Sequence, residues 1–249
     1  MINPIIENTN SDIPDISIIV LCYKAGRFAY DFTDLVIKEI EKNITLNFQI
    51  VLVGNYNHND VKDETPVVVE NIANKNKRVF AVAKPKEGMM GWDMRSGLEI
   101  ATGRFIAVID GDGQMPVEDL TKIYREIINK NADLAKTFRI TRGDGLKRNI
   151  LSFVYNIIFK ILFPGLKITD INSKPKIISR KAYNKLQLTA NDWFIDAEIM
   201  IQARRYKFKV VEIPAEFRGL VGRKSFVNFK TVFEFLKNLI VYRIKEFRL

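Results

Sequence analysis

Hydrophobic positions alternate between two rhythms from Ile16 to Phe138. Short unbroken apolar runs, SIIVLC (17–22), FQIVLVG (48–54), RVFAVA (78–83) and RFIAVI (104–109), have the length and composition of strands buried on both faces. ADLAKTF (132–138) adds a fifth. Between them, residues 27–42 carry Phe28, Phe32, Leu35, Val36 and Ile40 at helical spacing. Residues 89–101 read as a helix, and residues 117–130 as an amphipathic one. Strands and helices in this alternation predict an α/β fold: a mainly parallel, Rossmann-like sheet with right-handed crossovers, flanked by helices. Ligands of such sheets bind beyond the C-terminal ends of the strands.

The rhythm changes in the second half. Residues 146–163 form a strongly apolar helix with a basic start, KPKIISR (174–180) a short strand turning into a helix, residues 192–206 a helix and residues 208–217 a strand. After a loop containing Gly and Arg, an amphipathic helix runs from Asn228 to the end. In it Val232, Phe233, Phe235, Leu236, Leu239, Ile240, Tyr242 and Phe247 are interleaved with Lys230, Lys237, Arg243, Lys245 and Arg248. A basic amphipathic helix suits an anionic membrane surface; packing back onto the domain or forming a homo-oligomer interface are its other uses. The expected organisation is an N-terminal tail (1–15), one catalytic domain (16–225) and a basic C-terminal helical extension (226–249).

Composition narrows the partners. The 249 residues suffice to bury a sizeable core. One cysteine, Cys22, allows no disulfide within the chain and points to a reducing compartment; it ends an apolar strand and reads as an inert core thiol. The N-terminus lacks a signal-peptide pattern. The longest apolar stretch, Ile150 to Leu166, is interrupted by Asn156, Lys160 and Pro164, so no membrane span is expected. The net charge of +10 is uneven: residues 1–135 hold 15 Lys+Arg against 20 Asp+Glu, and residues 136–249 hold 24 against 9. The basic half suits an anionic membrane surface or a phosphorylated substrate. It lacks an aromatic–basic motif for nucleic acid, which is not expected as a partner.

Candidate chemistry gathers where the fourth strand ends, in IDGDGQMP (109–116). Alternate strand residues share a face, so Asp110 and Asp112 aim two carboxylates into the crevice at the sheet edge. Their repulsion is relieved by a cation, and Mg²⁺ takes one or two carboxylates and completes its shell with water and substrate phosphates. Gly111 and Gly113 are expected to keep room for a bulky ligand, although Asp and Gly also favour an ordinary turn. His58 stands in a polar loop and is assigned no role, and Trp92 and Trp193 read as packing residues.

The segment GMMGWDMRSGLEIATGRFIAVIDGDGQMPVEDLTKI resembles the family 2 glycosyltransferases of GT-A fold. Gly91, Gly97, Ala101, Gly103, Asp110, Asp112, Gln114 and Pro116 follow the family's order and spacing. The resemblance covers nearly all of the chain and is greatest to the polyprenyl-phosphate (dolichyl-phosphate) mannosyltransferase branch and related lipid-linked sugar enzymes. It implies a metal-dependent, inverting transfer from a nucleotide sugar to a polyprenyl phosphate. Asp110, Asp112 and Gln114 would hold Mg²⁺ or Mn²⁺ on the donor diphosphate. FRITRGDGLKRNILS is similar to the lipid-phosphate segment, which implies acceptor roles for Arg139, Arg148 and Ser152. TDINSKPKIISR makes Asp170 an acceptor-site candidate, while Lys174 and Lys176 either line the same cleft or, as the preferred reading, are solvated. RGLVGRKS resembles the loop that closes over the donor diphosphate, which gives Arg218, Arg223 and Lys224 donor roles. Two departures stand at the nucleotide end. VGNYNHND replaces the family's Asp-Asp-Gly-Ser, leaving Asn55 near the expected acid, and LCYKAGR keeps only Tyr23 of Pro-x-Tyr-Asn-Glu.

The resemblance also frames the choice of base. A phosphate monoester is already anionic at neutral pH and needs none. A sugar hydroxyl, as in a transferase extending a surface glycan, needs a carboxylate, and Asp196 and Glu198 in WFIDAEIM are the candidates. A non-catalytic GT-A-like binding protein is the reading of another class. For the lipid-linked reading, the expected location is cytoplasmic, peripheral at the inner face of the cell membrane.

Overall fold

In the computed structural model, which describes residues 13–142, 146–217 and 229–246, seven strands form one sheet. They are β1 (Ile16–Leu21), β2 (Phe48–Val53), β3 (Val79–Val82), β4 (Phe105–Asp110), β5 (Leu134–Arg142), β6 (Lys176–Ser179) and β7 (Val210–Phe217), in the spatial order β3-β2-β1-β4-β6-β5-β7. All pairings are parallel except those of β6, which runs antiparallel to both β4 and β5. The expected mainly parallel sheet is therefore present, with one short reversed strand in its middle.

Two apolar layers cover the sheet. β1 divides its side chains between them, as a strand buried on both faces must. Ile16, Ile18 and Val20 face one layer, which contains the buried stripes of α1 (Phe28–Asn43), α2 (Thr65–Ala73) and α4 (Glu118–Asn129). Ile19 and Leu21 face the other, built from α3 (Met90–Leu98), α5 (Leu146–Leu162), the single turn α6 (Arg180–Tyr183), α7 (Ile195–Arg205) and α8 (Phe229–Glu246). In α1 the buried stripe is Phe32, Val36 and Ile40, four residues apart, while Phe28 and Leu35 of the expected face are exposed. Helix α2 was not legible in the hydrophobic rhythm. It is short, begins with Pro66 in its first turn, and carries three consecutive β-branched valines that read equally well as strand.

The C-terminal helix packs onto the second layer through Leu239, which is fully buried, and through Leu236 and Tyr242. Ile240, Val241 and Ile244 point outward. No helix among the described residues is long and apolar enough to cross a membrane.

Candidate active site

The chain winds outward in opposite directions from the β1–β4 pair, towards β3 on one side and β7 on the other. Asp110 ends β4 at this switch point, in register with Leu21 of β1. Its side chain is 36% exposed. The chain then turns through Gly113, whose φ of +74° suits glycine. Asp112 Oδ1 accepts the Gln114 backbone N–H at 3.0 Å and closes that turn. The two glycines do not serve to clear ligand space. A Cβ on Gly113 would lie 3.0 Å from the Phe28 ring, and one on Gly111 would meet Val20 and the Leu21 carbonyl of β1. They allow β4, the turn and its neighbours to approach each other closely.

Among the described residues no three His, Cys, Asp or Glu side chains form a self-sufficient metal cage. The donor set at the turn suits a different kind of site. Two carboxylates and the amide oxygen of Gln114 are hard oxygen donors, of the type Mg²⁺ or Mn²⁺ takes when substrate phosphates complete the shell.

Beneath the turn lies a row of buried charges. Strand register pairs Val108 with Lys176, Lys176 with Lys136, and Lys136 with Glu212, across β4, β6, β5 and β7. Lys136 Nζ donates to Glu212 Oε1 at 3.0 Å and to the carbonyls of Thr137 and Asp170. Glu212 Oε2 in turn accepts the Thr169 N–H at 2.5 Å. Lys176 Nζ donates to the Ile171 carbonyl at 3.0 Å and to Asp196 Oδ1. Antiparallel pairing carried two residues further brings Lys174 to Asp110. Its Nζ lies 3.3 Å from Asp110 Oδ2 and 3.2 Å from Asp196 Oδ2. Burial pushes the Lys136 ammonium below its ordinary range against the pull of Glu212 and Asp170, and lowers Lys176 to about 8 despite Asp196. Lys174 and Lys176 are thus buried rather than solvated, because each has a carboxylate to replace water.

Asp196 is enclosed by the same pair. Burial alone would raise its carboxyl, but the ammonium groups of Lys174 and Lys176 hold it below the usual range. A buried carboxylate already ion-paired on both oxygens is a poor proton acceptor, which argues against the expected role as base. Glu198 is no better placed. It is fully buried and accepts hydrogen bonds from the Thr189 and Ala190 N–H groups, at 2.9–3.0 Å, and from the hydroxyls of Thr189 and Tyr242. It secures the 189–192 segment, whose Asn191 and Asp192 carbonyls accept the Met89 and Gly91 N–H groups at the start of α3. A Cβ at Gly91 would lie 2.4 Å from the Ala190 carbonyl, so this contact requires glycine.

Two residues expected to have acceptor roles, Arg139 and Asp170, meet directly, and Ser152 is linked to their loop through Asn156. Arg139 of β5 clamps Asp170 through two parallel hydrogen bonds, Nε to Oδ2 at 2.6 Å and Nη2 to Oδ1 at 2.9 Å. Asn156 joins α5 to the same loop. Its amide N–H donates to the Ser152 carbonyl at 2.8 Å and its oxygen accepts the Ile171 N–H at 3.1 Å. The side chain of Arg148, and Arg218, Arg223 and Lys224 entirely, lie outside the described residues.

At the ends of β2 and β3 the structure shifts the expected roles. Asn55 is 1% exposed, and both ends of its amide are engaged within the chain. It donates to Asp93 Oδ1 at 3.0 Å and to Ser96 Oγ at 3.3 Å, and accepts the Lys84 N–H at 2.9 Å. It is therefore a brace between β2, β3 and α3 and not an exposed base-reading group. The nearby acid is Asp93, ion-paired with Lys86; burial raises its carboxyl against the pull of Lys86. Lys86 Nζ lies 4.3 Å from the centre of the Tyr23 ring, and Asn57 donates to the Tyr23 hydroxyl at 3.2 Å. Asp93 and Lys86 escaped the sequence reading because they are two ordinary charges seven residues apart. Lys136 had a signal: a lysine in the interior of the strand-like run ADLAKTF.

Residues 17–187 match glycosyl transferase family 2. The chain is 26% identical over 219 residues to a dolichyl-phosphate β-glucosyltransferase of Trichomonas vaginalis, covering 82% of this chain and 65% of that protein. It is also 26% identical over 207 residues to the dolichol-phosphate mannosyltransferase of Pyrococcus furiosus, covering 81% of this chain and 56% of that one. It therefore spans about two thirds of the first relative's length and just over half of the second's. The structure superposes on glucosyl-3-phosphoglycerate synthase of Mycobacterium tuberculosis, crystallised with Mn²⁺, UDP and glucosyl-3-phosphoglycerate. The TM-score is 0.67 at 14% identity, with 92% of this chain and 80% of that one covered. The sheet order, the carboxylates at the switch point and the match over most of the chain agree: the chain has the GT-A fold and belongs to glycosyl transferase family 2.

Proposed function

We propose that the chain transfers a sugar from a nucleotide-sugar donor to the phosphate of a polyprenyl, dolichyl-type lipid, with inversion at the anomeric carbon. The observation that carries this reading is the state of Asp196. The carboxylate that a hydroxyl acceptor would require as base is buried between two ammonium groups, so the acceptor should be its own nucleophile. A phosphate monoester meets that need, since its second ionisation lies near pH 6. The Trichomonas and Pyrococcus relatives, named for dolichyl phosphate, support the same acceptor class.

In this reading an acceptor phosphate oxygen bonds to the anomeric carbon as the bond from that carbon to the diphosphate breaks. The electron pair leaves with the nucleoside diphosphate, and no proton moves. Asp110, Asp112 and Gln114 would hold a divalent cation, Mg²⁺ or Mn²⁺, which when bound neutralises charge growing on the leaving diphosphate. Tyr23 offers a ring beside the nucleotide end. Asp170 fixes the plane of the Arg139 fork before the acceptor arrives, and Ser152, tied to the Asp170 loop by Asn156, lies on the same side. Arg148, Arg218, Arg223 and Lys224 carry the complementary positive charge in the family resemblance.

The test supplies the protein with Mg²⁺ or Mn²⁺, a panel of nucleotide sugars, and either polyprenyl phosphate or an oligosaccharide. A glycosyl-phosphoryl lipid is the expected product, and transfer to sugar hydroxyls alone would overturn the assignment. Removing the guanidinium in Arg139→Ala should raise KM for polyprenyl phosphate by about 10- to 100-fold, the worth of one charge-assisted contact. The KM for the nucleotide sugar should change little; an equal rise in both would separate Arg139 from the acceptor.

A membrane-bound acceptor calls for a surface on which to meet it. Helix α5 packs beside α8. It exposes Phe153 (67%), Val154, Ile157 and Ile161 (73%), and α8 adds Ile240, Val241 and Ile244. Lys160 and Lys237 are exposed on the same two helices. Apolar side chains bordered by lysines suit the interface of an anionic leaflet. The Phe153→Glu, Ile161→Glu double variant should co-sediment several-fold less with phosphatidylserine-containing vesicles than the parent. Equal sedimentation would remove this face from the proposal.

A further inference from the structure

Lys174 joins two carboxylates of different character. Asp110 reaches the crevice, whereas Asp196 is sealed beneath it with its other oxygen held by Lys176. The Lys174 side chain is only 4% exposed, and its ammonium also lies 3.1 Å from the sulfur of Met90. Ion pairs to Asp110 at 3.3 Å and Asp196 at 3.2 Å hold the ammonium between the two carboxylates. A positive charge therefore rests against the carboxylate assigned above to the cation.

We propose that Lys174 is a positioning residue that weakens the hold of Asp110 on a free divalent cation, so that cation and nucleotide diphosphate bind strongly only together. This rests on the metal-dependent reading of the site given above. A divalent ion on Asp110 meets the Lys174 ammonium across one carboxylate, and like charges repel at that distance. A diphosphate arriving with the ion adds negative charge on the same side and offsets the repulsion. The two ligands then promote one another by the same factor, as linkage requires. Asp196 sets the strength of the effect, because it pulls the ammonium away from Asp110. The arrangement also orients Asp110: its Oδ2 is held from below while the rest of the carboxylate faces the crevice.

Binding of Mn²⁺, followed by electron paramagnetic resonance with and without UDP or GDP, tests this without turnover. The parent should bind Mn²⁺ weakly alone and at least tenfold more tightly with a nucleotide, and Asp112→Ala should lose that binding. If the parent shows no such binding with either nucleotide, the metal-dependent reading fails, and the role of Lys174 fails with it. If it does, the Lys174 variants decide. Lys174→Met should bind free Mn²⁺ about tenfold more tightly than the parent and show a correspondingly smaller nucleotide effect, while Lys174→Arg, which keeps the charge, should behave like the parent. Asp196→Asn should move the other way, because the ammonium is left to Asp110 alone and free Mn²⁺ binds more weakly. A merely structural role would shift both variants in the same direction. Unchanged or weaker Mn²⁺ binding by folded Lys174→Met would overturn the proposal while leaving the metal site intact. Should that variant fail to fold, as judged by circular dichroism, unchanged or tighter binding by Asp196→Asn would overturn it instead.

Discussion

Asp112→Ala is expected to lower kcat for sugar transfer by about a thousandfold or more, with the fold retained. Removing one preorganised group that stabilises a developing negative charge costs roughly 10²–10³ in rate, and a cation that depends on few protein ligands has more to lose. Asp112 supplies one of the two carboxylates at the switch point, and its backbone neighbours allow no substitute. Asp110 is already shared with Lys174, and Gln114 carries no charge. The substitution should leave the protein folded: the side chain is only partly buried and sits in a turn, where accepting the Gln114 N–H is one of its contacts. Rates are to be measured at saturating nucleotide sugar and polyprenyl phosphate over a range of Mn²⁺. A variant retaining more than a tenth of parental turnover at every Mn²⁺ concentration would remove Asp112 from the machinery.

Asp196→Ala should act mainly on stability. It deletes the shared counter-charge of Lys174 and Lys176, both of which are buried in the folded chain. Breaking a buried ion pair by removing one partner costs about 3–5 kcal/mol, a large share of the ~5–15 kcal/mol that holds a typical domain folded. The urea midpoint should fall accordingly, and the variant should populate unfolded chains well below the parental transition. Replacing the whole group with apolar side chains (Asp196→Leu, Lys174→Met, Lys176→Met) should recover much of the loss, because no uncompensated charge then remains buried. Stability unchanged in Asp196→Ala, together with abolished transfer to a sugar hydroxyl, would restore Asp196 as a base.

These two aspartates also measure how far the sequence could be read. The Asp110–Asp112 pair was legible because its position follows from local rules. An apolar run of strand length, a period of two, and an Asp/Gly turn place two carboxylates at a sheet edge without knowledge of the remaining chain. Asp196 looked equally significant at the start of a helix. Its meaning depends on Lys174 and Lys176, which lie about twenty residues away, and on β6 running against its neighbours. Asn55 and Asp93 present the same difficulty. The residue at the expected position is a brace, and the acid comes from a helix almost forty residues further on.

The sequence by itself determined the layered α/β architecture, most of its elements and the switch-point carboxylates, because hydrophobic period and turn chemistry act over a few residues. It also determined that the second half carries the excess positive charge. Only the tertiary structure decided which charges are sealed from water. The antiparallel insertion of β6 aligns Lys176, Lys136 and Glu212 across neighbouring strands and brings Lys174 between Asp110 and Asp196. Burial and partnership of a charge are properties of strand register and layer packing, which join residues that no local pattern connects.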